Sequence, residues 1–148
     1  MLSLAHAPVG ALIAVKIGNP FIALPIIFAS HFLMDWIPHW DVGAGMSKGI
    51  RKKDDAIKME IVELFLTFAL VFAWWQVGNP QIAWLAWFGA FIGILPDLIK
   101  SPKLFFNFTP AWLKPFNEFH DSFHCSTQNK LIGLTPQVIT LLVVWLVS

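Results

Sequence analysis

The stretch 18-GNPFIALPIIFASHFLMDWIPHWD-41 decides the fold. It opens on a turn signal, runs apolar from Phe21 to Ala29, and closes on His31, Asp35, His39 and Asp41. Gly ends one helix, Asn caps the next, and Pro fits the first turn of that next helix. The polar end poses a question, because a polar group in an apolar run costs free energy unless something binds it. The stretch therefore predicts a tight helical hairpin with a ligand-holding end.

The same turn recurs sixty residues on, where Gly78-Asn79-Pro80-Gln81-Ile82-Ala83 repeats Gly18-Asn19-Pro20-Phe21-Ile22-Ala23. Five apolar segments surround the two turns, near 4–17, 21–37, 57–77, 81–98 and 131–147. They predict an all-α integral membrane protein of about five transmembrane helices, as a single helical membrane domain over 1–148. Its parts are a hairpin 4–37, a basic loop 38–56, a hairpin 57–98, an interfacial segment 99–130 and a last helix 131–147. Strands are not expected, since the runs lack period-2 alternation and lipid tolerates only helices or closed barrels. Composition agrees: 57% of the residues are hydrophobic and 13% charged, against about 25% charged in a soluble domain. The lone Cys125 excludes an internal disulfide and any CxxC zinc site. No cleavable signal peptide is expected, because the first apolar run has no basic flank and contains His6 and Pro8. The last segment ends at Ser148 with almost no flank, which leaves a longer chain open.

Depth along the hairpins can be counted. His6 lies thirteen residues before Asn19 and His31 twelve after it, so both sit about 18–20 Å from the turn at ~1.5 Å per residue. Asp35, Glu63 and Asp97 fall about 24–27 Å from their turns by the same rule. The ionisable groups thus gather at the end away from the Gly-Asn-Pro turns. Every Asp and Glu lies there, and every Lys and Arg except Lys16. The basic loop 47-SKGIRKKDDAIK-58 then orients that face, and the N-terminus, towards the cytoplasm of a cell (inner) membrane. Segment 102–124 carries Phe116, Phe119 and Phe123 on one stripe, the form of an interfacial helix lying on headgroups. Trp36, Trp40, Trp74 and Trp75 are expected as interface anchors. Asp54, Asp55 and Glu60 are expected on solvated faces.

All five histidines lie at the same end: His6, His31, His39, His120 and His124. His31 and Asp35 are four apart on one helix face, a spacing that lets two side chains share an ion, and His120 and His124 repeat it. With Asp97, these seven are the candidate metal ligands. Imidazole and carboxylate together suit a divalent cation, zinc first, with manganese or iron as alternatives. Their number exceeds one closed four-coordinate zinc site, so two ions are expected. Asp41 and Glu63 are the candidate general bases. Each element also has an ordinary explanation: a histidine near a helix end, a capping Asp41, a helix-end Asp97, a solvated Glu63. The joint arrangement is what these do not explain.

The segments 4-LAHAPVGALIA-14, 31-HFLMDWIPHWD-41 and 93-GILPDL-98, with the late His120–His124 pair, resemble the YdjM-type predicted membrane-bound metal-dependent hydrolases. The family's Pro-Asp-x-Asp reads Pro38-His39-Trp40-Asp41 here, and its late motif reads 120-HDSFH-124. The resemblance implies metal ligation by His6, Asp41, Asp97, His120 and His124, and by extension His31, Asp35 and His39. A looser similarity to zinc phospholipase C and related nucleases implies phosphoester substrates. The expected activity is hydrolysis of a lipid phosphoester at the cytoplasmic interface, with Lys48, Arg51, Lys52 and Lys53 attracting the anionic headgroup. The alternative is a metal-binding or metal-transport membrane protein without hydrolytic chemistry. Ligands at one end of the bundle, not at the bilayer midplane, argue against transport. Nucleic acid is not an expected partner, and the oligomeric state stays open.

Overall fold

The computed structural model describes residues 1–46 and 49–148, so Lys48 of the basic loop lies outside the described residues. Those residues form helices α1 (Ser3–Ile17), α2 (Pro20–Asp35), α3 (Lys53–Val71), α4 (Trp84–Phe106), α5 (Lys114–Phe123) and α6 (Lys130–Val147). A π-helical turn, Phe72–Gln76, closes α3, and a 3-10 turn, Ala111–Leu113, leads into α5. The described residues are all-helical, with one isolated bridge among them, between His39 and Ser126.

The first Gly-Asn-Pro turn is built as expected. Gly18 is left-handed at φ 71° and its N–H reaches Ala14 O, while the Asn19 side chain accepts from Phe21 N and Ile22 N. The second copy forms a different turn. Gly78 is again left-handed, but no helix starts at Pro80. Instead the Gln76 side chain donates to Asn79 O and Gln81 O and accepts from Ala83 N and Trp87 Nε1. That amide staples the connection open, and α4 begins only at Trp84.

Among the described residues two helices, α4 and α6, are long and apolar enough to cross a membrane. The expectation of five spans is corrected on this point. Helices α1 and α2 have 15 and 16 residues, or about 22–24 Å at 1.5 Å per residue, short of a ~30 Å hydrocarbon core. Helix α3 has the length but carries Lys53, Asp54, Asp55, Lys58, Glu60 and Glu63. Helix α4 also continues past the expected end at 98, through Lys100 and Pro102 to Phe106. The interfacial segment is accordingly shorter than expected, and its helix α5 rests on α2. There Phe119 and Phe123 meet the Phe32 ring at 5.0 and 5.8 Å.

Helix α1 runs through the middle of the bundle, touching α2, α3, α4 and α6, most extensively α4. Small residues allow it. A Cβ added to Gly10 would stand 2.1 Å from Gly89 O, and one added to Gly93 would stand 2.6 Å from His6 O. Backbone touches backbone there, the small-residue packing used where helices have no water to exclude. Ala7, Ala11, Ala86 and Ala90 extend this seam around Val71. The close crossing brings the start of α1 against the second half of α4.

Helix α6 docks through Gly133, where a Cβ would stand 2.3 Å from Trp40 N. Trp40 N donates to Gly133 O, and Gln137 Nε2 donates to Trp40 O. Trp40 is therefore buried beneath Arg51 and Lys130, not set out as an interface anchor. Trp75 likewise packs against the α1–α4 seam.

Candidate metal centre

Four helices and two loops deliver the ionisable side chains to one place. The start of α1 brings His6, the last turn of α2 brings His31 and Asp35, α4 brings Asp97, and α5 brings His120. His6, His31, Asp35, His39 and His120 are all buried. His39 and His124 come from loops that pair side by side. His39 N donates to Cys125 O, Thr127 N donates to His39 O, and Cys125 N donates to Asp35 O. That backbone pairing sets the two rings together, their Nε2 atoms 3.3 Å apart.

Two ion-sized groups result: His31, Asp35, Asp97 and His120, and then Asp35, His39 and His124. Asp35 belongs to both. Its Oδ2 lies 3.5 Å from His31 Nε2 and 3.8 Å from His120 Nε2, while Oδ1 lies 3.7 Å from His39 Nε2. His6 stacks on His31 with centroids 4.0 Å apart and reaches Asp35 Oδ1 at 3.1 Å. Asp41 Oδ2 lies 3.5 Å from His39 Nε2 and 3.3 Å from His124 Nε2. Asp41 thus faces the second group directly.

The hydrogen bonds decide which ring nitrogens carry protons. His31 Nδ1 donates to Gly93 O, and His39 Nδ1 donates to Ile37 O, both at 2.8 Å. In the neutral rings Nε2 is then a bare lone pair, the orientation that a backbone carbonyl bonded to the other ring nitrogen imposes on a metal-binding histidine. Each bare nitrogen faces a carboxylate oxygen and, 3.3 Å away, the Nε2 of a second imidazole, so a ring proton or a metal ion can fill the gap. Asp35 Oδ2 and Asp41 Oδ2 are buried and lack a hydrogen-bond donor, as does His6 Nδ1. The separation of His31 Nε2 from His120 Nε2 is also 3.3 Å. Two imidazoles on one tetrahedral ion, each bonded at ~2.0–2.1 Å, stand about 3.3–3.4 Å apart. The donor set fits a divalent cation.

Two features answer part of this charge without a metal. The Met1 α-amino group is drawn against Asp35 Oδ1. Lys100 Nζ lies 3.2 Å from His120 Nδ1. Since an ammonium only donates, the neutral His120 ring there carries its proton on Nε2, aimed at Asp97 Oδ1 3.1 Å away. For His120 Nε2 to hold an ion, the ring must take its other tautomer, and Lys100 must turn to its second partner, Asp121.

Just past the end of α5, burial first and the Lys100 charge second lower the His124 pKa from 6.5 to about 4. This ring stays neutral, and free to ligate, through the physiological range.

A cavity of about 490 Å³ opens beside the cluster, lined by Asp41, Asp97 and His124. Glu63 lines it too, with Oε1 accepting from Leu4 N and Thr67 Oγ1 and Oε2 without a partner. Glu60, expected on a solvated face, is half-buried at the same cavity. Of the expected headgroup bases, the described ones, Arg51, Lys52 and Lys53, lie elsewhere. Arg51 donates to Asp41 O and Val42 O and lies over the Trp40 ring. Lys53 lies over Phe106 and Lys52 is exposed. The bases that do line the cavity are Lys100 and Lys103. The signal for them was Asp97, Lys100 and Lys103 at steps of three on one helix, hidden by ending that helix at Leu98.

Comparison with protein-family models, with curated proteins and with solved structures gives no match for this chain. The geometry of the His/Asp cluster is therefore what speaks for its chemistry.

Proposed function

We propose that this chain is a membrane-embedded metal-dependent hydrolase acting on a phosphoester of a lipid at the cytoplasmic interface. One observation carries the reading: the two oxygens of Asp35 face two separate sets of imidazoles, as a carboxylate shared by two ions would. The resemblance to the YdjM-type hydrolases points the same way. Membrane insertion is supported by α4 and α6 and by strongly exposed Phe21, Phe65, Leu131 and Leu146. The clustering of charge at the site's end supports the cytoplasmic orientation.

Divalent ions at this centre, zinc by preference, would polarise the phosphoryl oxygen and lower the pKa of a bound water to about 7. The chain's own groups do the rest. Asp41, against His39 and His124, orients the attacking water. Glu63 takes the proton on its free Oε2 as the water oxygen bonds to phosphorus and the ester P–O bond breaks. The departing alkoxide recovers a proton from solvent at the cavity mouth.

The test uses purified full-length protein, stripped with EDTA and reloaded, with wild type, His31→Ala and His124→Ala compared. The expected result is loss of one of the two bound ions, and of phosphoester turnover on lipid vesicles, in each variant. Metal content unaffected by either change removes the reading. Bound metal with no turnover on any phospholipid favours the metal-binding alternative.

A further inference from the structure

The cavity has a basic rim beside the metal centre. Lys100 and Lys103 both line it, and both ammonium groups close on one carboxylate, Asp121 of α5, at 2.7 and 2.6 Å. The Lys100 side chain is 14% exposed, while Asp121 and Lys103 are 43% and 38% exposed. The pair is thus anchored on its inner side and open on its outer side. Burial works to raise the Asp121 carboxyl, yet the two ammonium groups hold it below its ordinary range. Leu2, Val42, Met46, Leu104 and Phe105 supply an apolar lining to the same cavity. At ~1.5 Å per residue from Trp84, Lys100 falls about 24 Å and Lys103 about 28 Å along α4, near the edge of a ~30 Å hydrocarbon core.

We propose that Lys100 and Lys103 form the phosphate subsite for a lipid ending in a phosphomonoester, and that Asp121 occupies this subsite until the lipid displaces it. Two ammonium groups converge where Asp121 now supplies one negative charge. A phosphomonoester dianion matches both, whereas a phosphodiester carries a single charge like the carboxylate it must replace. Charge-assisted bonds to phosphate oxygens are short and strong. The apolar lining takes the lipid's chain. Lys100 also links the two sites, since an ion on His120 turns this lysine away from Nδ1 and towards the subsite. The assignment of the lipid as substrate rests on the proposed hydrolase; the binding site does not.

The experiment measures binding to full-length protein in nonionic detergent, metal-stripped and metal-loaded. The probes are dioleoyl phosphatidic acid, dioleoyl phosphatidylglycerol in the same micelles, and soluble glycerol 3-phosphate. Phosphatidic acid is expected to bind about tenfold more tightly than phosphatidylglycerol, and Lys103→Gln to remove about that tenfold. Asp121→Asn should act in the opposite sense and tighten binding roughly threefold, by withdrawing the competing charge. Equal affinity for the two lipids overturns the proposal. So does weaker binding in Asp121→Asn, which would make this carboxylate a structural support. Glycerol 3-phosphate binding as tightly as phosphatidic acid overturns the lipid assignment in favour of free phosphate esters. Lys103-dependent binding by protein that holds no metal supports the subsite even as the hydrolase fails.

Discussion

Replacing Asp35 by Asn separates a shared ligand from a charge-neutralising one. The amide keeps the volume and one oxygen, so packing around the buried side chain is preserved, and the lost quantity is the negative charge between the two imidazole groups. A shared ligand contributes to both groups: His31 and His120 meet Oδ2, and His39 meets Oδ1. Changing even an outer-shell partner of a metal ligand costs 10–100-fold in affinity, so a direct ligand should cost at least about 100-fold, or ~2.8 kcal/mol, at each ion. His39→Ala and His31→Ala should each spare the other group. The account therefore predicts two ions in wild type, one in either histidine variant, and none retained by Asp35→Asn against a competing chromophoric chelator. Elemental analysis after dialysis counts them. If Asp35 served only to neutralise the Met1 ammonium and the histidines, the variant would melt lower by the same amount with and without chelator, and zinc binding would not change. That outcome would refute the reasoning.

Other perturbations follow from the same geometry. Gly10→Leu forces a side chain into the Gly89 carbonyl, and overpacking of this kind costs about 1–3 kcal/mol or more, read as lost thermal stability and lost metal together. Asn19→Ala removes the cap on Phe21 N and Ile22 N and should cost about 1 kcal/mol without changing metal content, as a melt with elemental analysis would report. In metal-free protein the His124 ring should titrate near 4 when followed by its NMR shifts. Its folded pKa is below the unfolded 6.5, so the unfolded chain takes up the proton first. This group therefore costs stability as pH falls from 6.5 towards 4, and nothing further below that. A His124 ring that titrates at 6.5 contradicts the burial and the Lys100 neighbour.

The hairpin arithmetic placed His6, His31, Asp35 and Asp97 at one end because helical rise is fixed per residue, and the chain brings them there. The i, i+4 spacing of His31 and Asp35 was legible for the same reason. His39 was not legible as a neighbour of His124, because their approach depends on backbone pairing between two loops, which leaves no periodic trace. The duplicated Gly-Asn-Pro turn misled, since at Asn79 the side-chain amide of Gln76, three residues upstream and outside the repeated motif, holds a different connection. The five apolar runs read as five spans because hydropathy cannot tell a lipid-facing helix from one such as α1, much of whose length is buried in the bundle. Gly10, Gly89 and Gly93, which make that burial possible, carry meaning only once the two helices are known to cross.

The central claim is that Asp35 joins two metal ions. Anomalous X-ray diffraction at the zinc edge from zinc-loaded crystals tests it most directly. The account predicts two peaks about 3.5–4 Å apart, one beside His31, Asp97 and His120 and the other beside His39 and His124, with the Asp35 carboxylate between them. Density showing only the Met1 amino group at Asp35, with no anomalous peak within reach of the histidines, would contradict it.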